Sequence, residues 1–199
     1  MKLGIIVGTT RPGRQTVKQA QWVYRTAQAQ EGIEAELVDL QDHPLPLFNE
    51  PVSPRYNQNR EIAPEVQQWL SKLESFDAYV FVTAEYNHSI PGVLKNALDY
   101  VTWEIQRKPV AVVSHGAQGG VRAATDLKEV LSESRALPIP NFVAITGMSE
   151  IIDEKGNLAE AAQQNPYGPQ TSLETLLDEL QWTSDALAAA RSAKELVEV

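Results

Sequence analysis

The sequence predicts an α/β protein whose parallel sheet is covered by helices on both faces, and three observations lead to this class. Five short segments have strand-like apolar patterns, and amphipathic segments of helical length separate them. Because parallel neighbours need crossover connections, this alternation favours one doubly wound sheet. With 199 residues, of which 43% are hydrophobic, the chain is long enough for one sizeable core. We therefore expect residues 1–199 to form a single domain.

The first half of the chain supplies three strands and two helices. Residues 3–7 are a short apolar run that predicts a strand, and the helical spacing in residues 16–30 predicts a helix. Residues 34–40 alternate apolar and acidic side chains, as an exposed strand does. Residues 64–75 begin with proline and place apolar side chains on one helical face. Residues 78–83 are a continuous apolar run, which is typical of a central strand.

A longer helix is predicted over residues 89–106. Ser89 is suited to its N-cap, and Pro91 lies early in the first turn. Some apolar side chains span more of its circumference than one sheet contact uses: Val93, Leu94, Leu98, Val101 and Trp103. They either face a partner subunit or are buried deeper within the monomer.

The remaining elements follow the same alternation. Residues 109–113 and 142–146 predict strands, a helix to about residue 135 lies between them, and residues 171–190 predict a closing helix. Residues 41–63, by contrast, are proline-rich and have no period. A segment of this kind is more often a binding or oligomer loop than a spacer.

An irregular arm is predicted over residues 148–170. It contains a turn signal at residues 155–157, where lysine, glycine and asparagine follow one another. No internal repeat or low-complexity segment interrupts the chain. The arm is therefore expected to belong to the same domain.

Composition excludes several function classes. The chain has no cysteine, which excludes disulfides, thiolate metal sites and a thiol nucleophile and is compatible with a reducing cytoplasm. No apolar run approaches the ~20 residues of a membrane-spanning helix. A formal net charge of −9 argues against binding to nucleic acid or to an anionic membrane. We expect a cytoplasmic protein that acts on small molecules.

The first candidate ligand loop comprises residues 8–16. In open parallel sheets, ligands bind at the carboxyl ends of strands. This loop leads into a helix start, where Thr9 and Thr16 offer hydroxyl groups and Arg11 and Arg14 offer charged donors with no acidic neighbour nearby in sequence. These groups suit one phosphate monoester. Two alternatives stay open: a capped turn with solvated arginines, or a triphosphate loop, although Arg14 stands where that motif needs lysine.

The second and third candidate loops follow the third and fourth predicted strands. Residues 83–89 combine backbone donors, the aromatic Tyr86 and an amide, a mixture that suits the edge of a heteroaromatic ring. Residues 114–120 contain three glycines that let the backbone approach a flat ligand. Each loop alone is explained equally well as a helix cap or a tight connection. The coincidence of three such loops at one sheet edge favours a ligand site.

No group of residues predicts a protein nucleophile or a metal site. His43, His88 and His115 are isolated and have neither triad partners nor metal-ligand spacing. We therefore expect no catalytic side chain, and for His115 no more than a contact with the edge of a ligand ring. Hydride-transfer chemistry needs no protein nucleophile, because a cofactor carries it and the protein orients that cofactor.

At these loops the chain resembles the NADPH-dependent FMN reductase family, flavodoxin-like proteins that include chromate, quinone and azo-dye reductases. Residues 8–14 are similar to the family's phosphate loop. Residues 85–91 and 94–99 are similar to its flavin loop and the helix that follows, and this second motif is the more specific. The resemblance spans most of the chain. It implies a flavodoxin-like three-layer α/β/α sandwich with a five-stranded parallel sheet in the order 2-1-3-4-5.

The resemblance also implies FMN as cofactor and three sets of residues that hold it. The phosphate group would be held by Thr9, Arg11, Arg14, Gln15 and Thr16. The isoalloxazine ring would lie against Ala84, Glu85, Tyr86 and Asn87. The other side of the site would be closed by Ser114, Gly116, Gly119 and Gly120. The chain departs from the family with Thr9 where serine is common and with Ala84 where proline is common, which leaves the second loop less rigid.

The function implied by the resemblance is an oxidoreductase. NADPH or NADH would reduce FMN, and electrons would pass to a quinone, an azo compound, a metal oxyanion or free flavin. Family members form homodimers or homotetramers, and the same is expected here. Two alternatives stay open: a flavodoxin-type electron carrier reduced by a partner protein, which suits the acidic net charge, or a flavin- or redox-sensing module without turnover.

Overall fold

The computed structural model describes residues 1–57 and 59–195. Five parallel strands form the central sheet: β1 (Lys2–Val7), β2 (Glu34–Asp39), β3 (Ala78–Ala84), β4 (Pro109–His115) and β5 (Leu137–Ile145). Their spatial order is β2-β1-β3-β4-β5, and each neighbouring pair is parallel. The predicted number, direction and order of strands are confirmed.

Helices cover both faces of this sheet: α1 (Thr16–Gln28), α2 (Pro64–Glu74), α3 (Gly92–Asp99), α4 (Val121–Glu133), α5 (Met148–Ile151), α6 (Glu160–Gln164) and α7 (Pro169–Glu195). Buried side chains of α1 and α7 pack on one face with strand residues such as Ile5, whereas α2, α3 and α4 pack on the other face with residues such as Ile6. Alternate residues of a strand point to opposite faces, so two apolar cores flank the sheet. The predicted three-layer sandwich is confirmed.

β3 lies at the centre of the sheet, because it pairs with both β1 and β4. All 7 of its residues are buried, which explains their continuous apolar sequence. Val7 of β1 lies opposite Val82, and Ala84 lies opposite His115 of β4. The three strands therefore end at the same edge, and the loops that follow them begin side by side.

The prediction of a helix over residues 89–106 is wrong at its start. Asn87 and His88 have positive φ angles of 50° and 70° and form a tight two-residue turn. Tyr86 and Ser89 close this turn with reciprocal backbone hydrogen bonds of 2.9 and 3.1 Å. Ser89 therefore belongs to the turn and is not the predicted N-cap. The helix α3 begins only after it.

The same helix is also shorter than predicted, since α3 ends at Asp99. Pro91 occupies its N-cap position and does not lie in its first turn. Beyond the helix, the backbone N–H and the hydroxyl of Thr102 both bond to the carboxylate of Glu104, at 2.7 and 3.1 Å. Such local side-chain bonds compete with helical backbone bonds. Arg107 then has a positive φ of 56°, which also interrupts a helix.

Burial within the chain accounts for most of the apolar side chains that the sequence offers for a partner surface. Leu94, Leu98 and Val101 are at most 8% exposed and belong to the core. Val93 is half-buried, and Trp103 is 44% exposed. Of the two alternatives, deeper burial within the monomer is therefore the one that holds for the three buried residues. Trp103 is the member of this set that a partner can reach.

The proline-rich segment contains single turns of 3₁₀ helix and otherwise no helix or strand in residues 41–57 and 59–63. Asn96 of α3 hydrogen-bonds to this segment through its side chain. Its side-chain oxygen accepts a hydrogen bond from the Phe48 N–H at 2.8 Å, and its amide nitrogen donates to the Pro46 carbonyl at 2.7 Å. The predicted lack of regular structure is confirmed, and Asn96 is one of the side chains that hold the segment.

β5 begins earlier than the predicted strand over residues 142–146. The sequence does not indicate this earlier start, because Pro138 and Pro140 lie in it and proline, which cannot donate to a sheet, is confined to its edges. The N–H of Leu137 donates to the Lys108 carbonyl beside β4 at 2.9 Å. Since backbone donors alternate in direction along a strand, the nitrogen of the next residue, Pro138, faces the free edge of the sheet. Pro140 lies where the register between β4 and β5 shifts.

The arm over residues 148–170 has more structure than predicted. It contains α5, α6 and an antiparallel bridge between Ile152 and Leu158. The predicted turn at residues 155–157 is confirmed. Gly156 has a φ of 73°, and a Cβ atom there would lie 2.7 Å from a backbone oxygen of α1. Glycine is needed because this turn packs directly on that helix.

α7 confirms the predicted closing helix and extends it at both ends. Its first half is anchored in the core by four leucines that are at most 1% exposed: Leu173, Leu176, Leu177 and Leu180. Trp182 follows on the solvent side and is 74% exposed. Among the described residues, neither this helix nor any other combines the length and apolar character needed to cross a bilayer.

Candidate functional site

Three loops meet at the carboxyl edge of the sheet: the first loop (residues 8–16), the second loop (residues 83–89) and the third loop (residues 114–120). They extend from β1, β3 and β4, which are neighbours in the sheet. The Gly8 N–H donates to the Val82 carbonyl at 2.8 Å, so the first loop begins beside the second. The expectation that the three loops share one edge is confirmed.

Direct contacts join the loops to one another. The Thr16 hydroxyl lies 2.9 Å from Nε2 of His115, which joins the first loop to the third. The guanidinium carbon of Arg11 lies 5.5 Å from the centre of the Tyr86 ring, a cation–π contact between the first and second loops. The Glu85 N–H donates to the His115 carbonyl at 3.0 Å. The loops therefore form one continuous surface.

The first loop contains two buried hydroxyl groups, one shortly after β1 and one at the start of α1. Thr9 and Thr16 are both 0% exposed. The Thr9 hydroxyl has no hydrogen-bond partner among the described residues, although buried polar groups are normally paired. The first turn of α1 adds backbone N–H groups without helical acceptors, at the positive end of the helix dipole. This set of donors fits a phosphate group.

Arg14 has an acidic partner in the folded chain, although no acidic residue lies near it in sequence. Each terminal nitrogen of Arg14 lies 2.6 Å from a carboxylate oxygen of Asp39. Asp39 ends β2, which runs parallel to β1 and therefore finishes at the same edge. Arg14 also donates to the Thr9 carbonyl. Its guanidinium is thus engaged within the protein, where it holds the backbone of the first loop.

Arg11 and Gln15 complete the first loop. Arg11 is exposed, and no carboxylate among the described residues forms an ion pair with it. Gln15 occupies the N-cap position of α1, and its side-chain oxygen is buried with no partner in the described part of the chain. Its amide nitrogen makes a long contact of 3.5 Å to the Gly13 carbonyl. Both residues keep polar groups available to a ligand.

The second loop is tied to α4 through Glu85. Arg122, near the start of α4, donates to the Glu85 carboxylate from its backbone nitrogen at 3.1 Å and from its guanidinium at 2.9 Å. Ala84 is 3% exposed at the end of β3, while Tyr86 is half-buried and Asn87 is exposed. The Glu85 carboxylate and N–H are thus both occupied, which leaves its carbonyl group for a ligand. Nothing in the sequence identifies Arg122 as its partner.

The third loop is a tight glycine turn. Gly119 and Gly120 have φ angles of 75° and 74°, and a Cβ atom at Gly120 would lie 2.8 Å from the His115 carbonyl oxygen. Glycine is therefore required there. The buried Ser114 hydroxyl donates to the Gly119 carbonyl at 2.8 Å and so supports the turn from inside. At Gly116 the loops approach closely, because an added Cβ atom would lie 3.3 Å from a side-chain carbon of the second loop.

Gln19 supports the third loop from α1. It is 0% exposed, and its amide nitrogen donates to the Ser114 carbonyl at 3.1 Å. Its side-chain oxygen is buried without a partner among the described residues. In the sequence Gln19 is one polar residue of an amphipathic helix, so no pattern distinguishes it. Sequence reasoning therefore misses this contact.

His115 ends β4 with a largely buried ring. Burial, and then the positive charge of Arg11, lower the pKa of His115 from 6.5 to about 4, because both disfavour the imidazolium form. The ring is therefore neutral at pH 7. The sequence predicts at most an edge contact between His115 and a ligand ring, whereas the structure gives it a hydrogen bond to Thr16.

The pKa of His115 makes folding stability depend on pH. The unfolded chain protonates this residue near pH 6.5 and the folded chain only near pH 4, so its stabilising contribution is complete above pH 6.5 and is lost as the pH falls towards 4. Between pH 7 and pH 5, we expect the wild type to lose about 2 kcal/mol more unfolding free energy than His115→Gln. Urea unfolding of both proteins at both pH values measures this difference. Equal losses would contradict the lowered pKa.

Comparison with known proteins places all three loops within one matched region. The family model described as NADPH-dependent FMN reductase matches residues 1–150. An NAD(P)H-dependent FMN reductase of Schizosaccharomyces pombe is 34% identical over 145 residues, which cover 73% of this chain and 72% of that protein. An NADPH azoreductase of Bacillus sp. is 32% identical over 166 residues, which cover 82% of this chain and 85% of that protein.

A solved structure extends the comparison in three dimensions. The flavoenzyme NAD(P)H:(acceptor) oxidoreductase FerB of Paracoccus denitrificans superposes with a TM-score of 0.72 at 23% sequence identity. The superposition covers 94% of this chain and 97% of that chain. At this identity the likeness shows the fold. The shared fold therefore extends beyond the residues that the family model matches.

Proposed function

The chain belongs to the NADPH-dependent FMN reductase family. We propose that its three loops bind FMN and that the protein passes electrons from a nicotinamide nucleotide to a small molecule. The protein is an oxidoreductase with FMN as cofactor and NADPH or NADH as electron donor. The acceptor is a quinone, an azo compound, a metal oxyanion or free flavin. Relatives named azoreductase and quinone reductase represent the first two of these classes.

The observation that carries this proposal is the set of donors in the first loop. Thr9 and Thr16 are buried hydroxyl groups, and Arg11 is an exposed cation beside them in the loop. A phosphate ester offers acceptor oxygens and negative charge, so these donors can hold it without a metal. We infer that Gln15 completes this set. Arg14 contributes by holding the loop in shape, since its guanidinium is paired with a carboxylate.

The flavin ring is proposed to lie against the second and third loops. The second loop offers the Glu85 carbonyl, the Tyr86 ring and the exposed Asn87 next to the buried Ala84. In the third loop Gly116, Gly119 and Gly120 allow the tight backbone turn against which a flat ligand can lie. When bound, FMN supplies the redox chemistry, because its isoalloxazine ring accepts a hydride and gives up electrons. The residues of the chain bind, orient and shield it, and no protein nucleophile is required.

Reduction by nicotinamide nucleotide tests the proposal. Protein saturated with FMN is mixed with NADPH or NADH in the absence of oxygen, and the visible flavin absorbance is followed. We expect the absorbance to fall and to recover when a quinone is added. A flavin that stays oxidised with both nucleotides, yet is reduced by a redox partner protein, would instead indicate an electron carrier. Reduction without recovery by any acceptor class would indicate a sensing module.

A partner surface is proposed around Trp103. Its ring is 44% exposed and lies between two guanidinium groups, 5.6 Å from that of Arg55 and 5.5 Å from that of Arg135. Tryptophan and arginine are enriched at the residues that contribute most to interface affinity. We infer that a second copy of the chain covers this face in a homodimer or homotetramer.

Truncation of Trp103 tests this surface. Trp103→Ala is expected to shift the molar mass in solution towards that of the monomer, because losing an interface tryptophan of this kind costs about 2 kcal/mol or more of binding free energy. Light scattering over a dilution series measures the shift. Trp182→Ala removes another exposed tryptophan, on α7, and serves as the matched control. An unchanged mass for Trp103→Ala would place the interface elsewhere.

Residues 1–199 are proposed to act as one FMN-binding domain, with the arm over residues 148–170 as part of it. The family match ends at residue 150, but α7 packs back on the sheet. Its residues Leu173 and Leu177 share one core with Val80 of β3.

A reductase that draws on NADPH or NADH works where these nucleotides are abundant, which supports a cytoplasmic location.

A further inference from the structure

The hydroxyl of Thr16 has one hydrogen-bond partner among the described residues, Nε2 of His115 at 2.9 Å. Thr16 is the first residue of α1 and is 0% exposed. A hydroxyl has a single proton to donate, and a ring nitrogen of neutral imidazole either accepts a hydrogen bond or donates one, depending on the tautomer. The direction of this hydrogen bond therefore decides what Thr16 can offer to a ligand.

Two arrangements are possible for the pair. In one, Thr16 donates to an unprotonated Nε2, so its proton is used within the protein and only lone pairs remain for a ligand. In the other, Nε2 of His115 carries the ring proton and donates to Thr16, which leaves the hydroxyl proton available. A phosphate oxygen accepts hydrogen bonds and, as a dianion, donates none. Phosphate is thus compatible with the second arrangement and is repelled by the first.

We propose that His115 is a positioning residue for the phosphate group: in the FMN-bound protein it carries its proton on Nε2 and so directs the Thr16 hydroxyl proton to a phosphate oxygen. The inference rests on the proposed FMN site and adds the residue that sets its donor pattern. No covalent bond to the ligand forms or breaks. The ligand selects one of two neutral tautomers, because it accepts hydrogen bonds and cannot return them.

Two further observations support this role. Burial and the charge of Arg11 lower the pKa of His115 to about 4, so the ring is neutral at pH 7 and both tautomers are accessible. The Thr9 hydroxyl is buried in the same loop without a partner among the described residues, so a donor that awaits an acceptor is already present. Thr16 directed in the same way supplies a second donor. Two hydroxyl donors in the first loop, one of them at the N-terminus of α1, are consistent with a phosphate cradle.

Flavin selectivity tests the proposal. Apo-protein is titrated with FMN and with riboflavin, which lacks the phosphate, and binding is followed by flavin fluorescence. His115→Phe keeps a planar ring but cannot donate to Thr16, so the hydroxyl is free to rotate among its staggered orientations and must be fixed when FMN binds. We expect this variant to bind FMN about threefold more weakly. Its affinity for riboflavin should stay within twofold of wild type. His115→Gln retains an N–H donor and should recover most of the FMN affinity.

His43→Phe is the matched control, since this histidine packs on Trp69 with ring centres 5.5 Å apart and lies outside the three loops. It should bind both flavins as the wild type does. Equal weakening of FMN and riboflavin in His115→Phe, with no recovery in His115→Gln, would show that the ring only fills space and would overturn the proposal while leaving the FMN site intact. A wild type that binds no FMN would overturn the proposed function as well.

The tautomer itself is observable in the wild type by nitrogen-15 NMR of the histidine rings. With FMN bound, His115 should show the spectrum of a ring protonated at Nε2, and inorganic phosphate alone should move the apo-protein spectrum in the same direction. Riboflavin should leave the apo pattern unchanged. A ring protonated at Nδ1 in the FMN complex would contradict the proposal, whatever the affinities.

Discussion

Replacing Arg14 with alanine should lower the free energy of unfolding by about 3 kcal/mol, as expected when one partner of a shielded ion pair is removed. The Arg14 and Asp39 side chains are 10% and 23% exposed and are joined by two contacts of 2.6 Å. The substitution leaves the Asp39 carboxylate poorly hydrated and without its counter-ion. It also removes the hydrogen bond to the Thr9 carbonyl, so FMN binding should weaken. Urea unfolding and flavin titration measure the two effects.

A double variant separates the charge from the packing at this pair. Exchanging both partners of a buried pair for apolar residues of similar volume is often neutral. Arg14→Met with Asp39→Leu should therefore recover most of the stability that Arg14→Ala loses. FMN affinity should stay reduced in the double variant, because its first loop still lacks the bond to Thr9. A loss below about 1 kcal/mol in the single variant would mean that the pair behaves as a surface ion pair.

Arg11→Ala is expected to raise the dissociation constant of FMN by about 10- to 100-fold, since each charge-assisted hydrogen bond contributes ~1.5 to 3 kcal/mol. Arg11 is exposed, lies 5.5 Å from the Tyr86 ring and has no ion-pair partner among the described residues, so its guanidinium is available to the phosphate. Riboflavin has no phosphate, and its affinity should change by less than threefold. Fluorescence titration of the apo-protein with both flavins measures the difference.

Two further variants sharpen this test. Arg11→Lys keeps the charge but loses the planar fork, so its FMN affinity should lie between those of wild type and Arg11→Ala. Arg25→Ala removes an arginine of α1 whose guanidinium donates to the Lys155 carbonyl, away from the three loops, and should bind both flavins normally. If Arg11→Ala binds FMN as tightly as wild type, the phosphate group is bound elsewhere.

The fold was predictable because its signals are local and agree with one another. β3 is buried along its whole length and is a continuous apolar run, while α1 and α2 have a clear apolar face. Alternation of such elements leaves few topologies. The position of the three loops follows from the parallel sheet alone, which places the ends of β1, β3 and β4 at one edge.

The errors arose where a distant contact or a turn overrides a local pattern. The residues after Ser89 have helical spacing, but positive φ angles at Asn87 and His88 assign Ser89 to a turn. The sequence does not indicate the ion pair of Arg14, because its partner Asp39 lies 25 residues away in sequence.

The bond between Thr16 and His115 spans 99 residues. Periodicity and short motifs carry no information about pairs so far apart. The meeting of the three loops was therefore predictable, whereas the hydrogen-bond partner of each residue was not.

The two prolines of β5 limit how copies of this protein can associate. Pro138 turns a nitrogen atom without hydrogen outward along the border strand, and Pro140 lies at a register shift of that strand, so another chain meets a missing donor and an irregular backbone where it would need to extend the ladder. Growth of the sheet from one molecule into the next is blocked over this stretch. Assembly is then directed to side-chain surfaces, and unwanted fibre-like stacking at this border is discouraged.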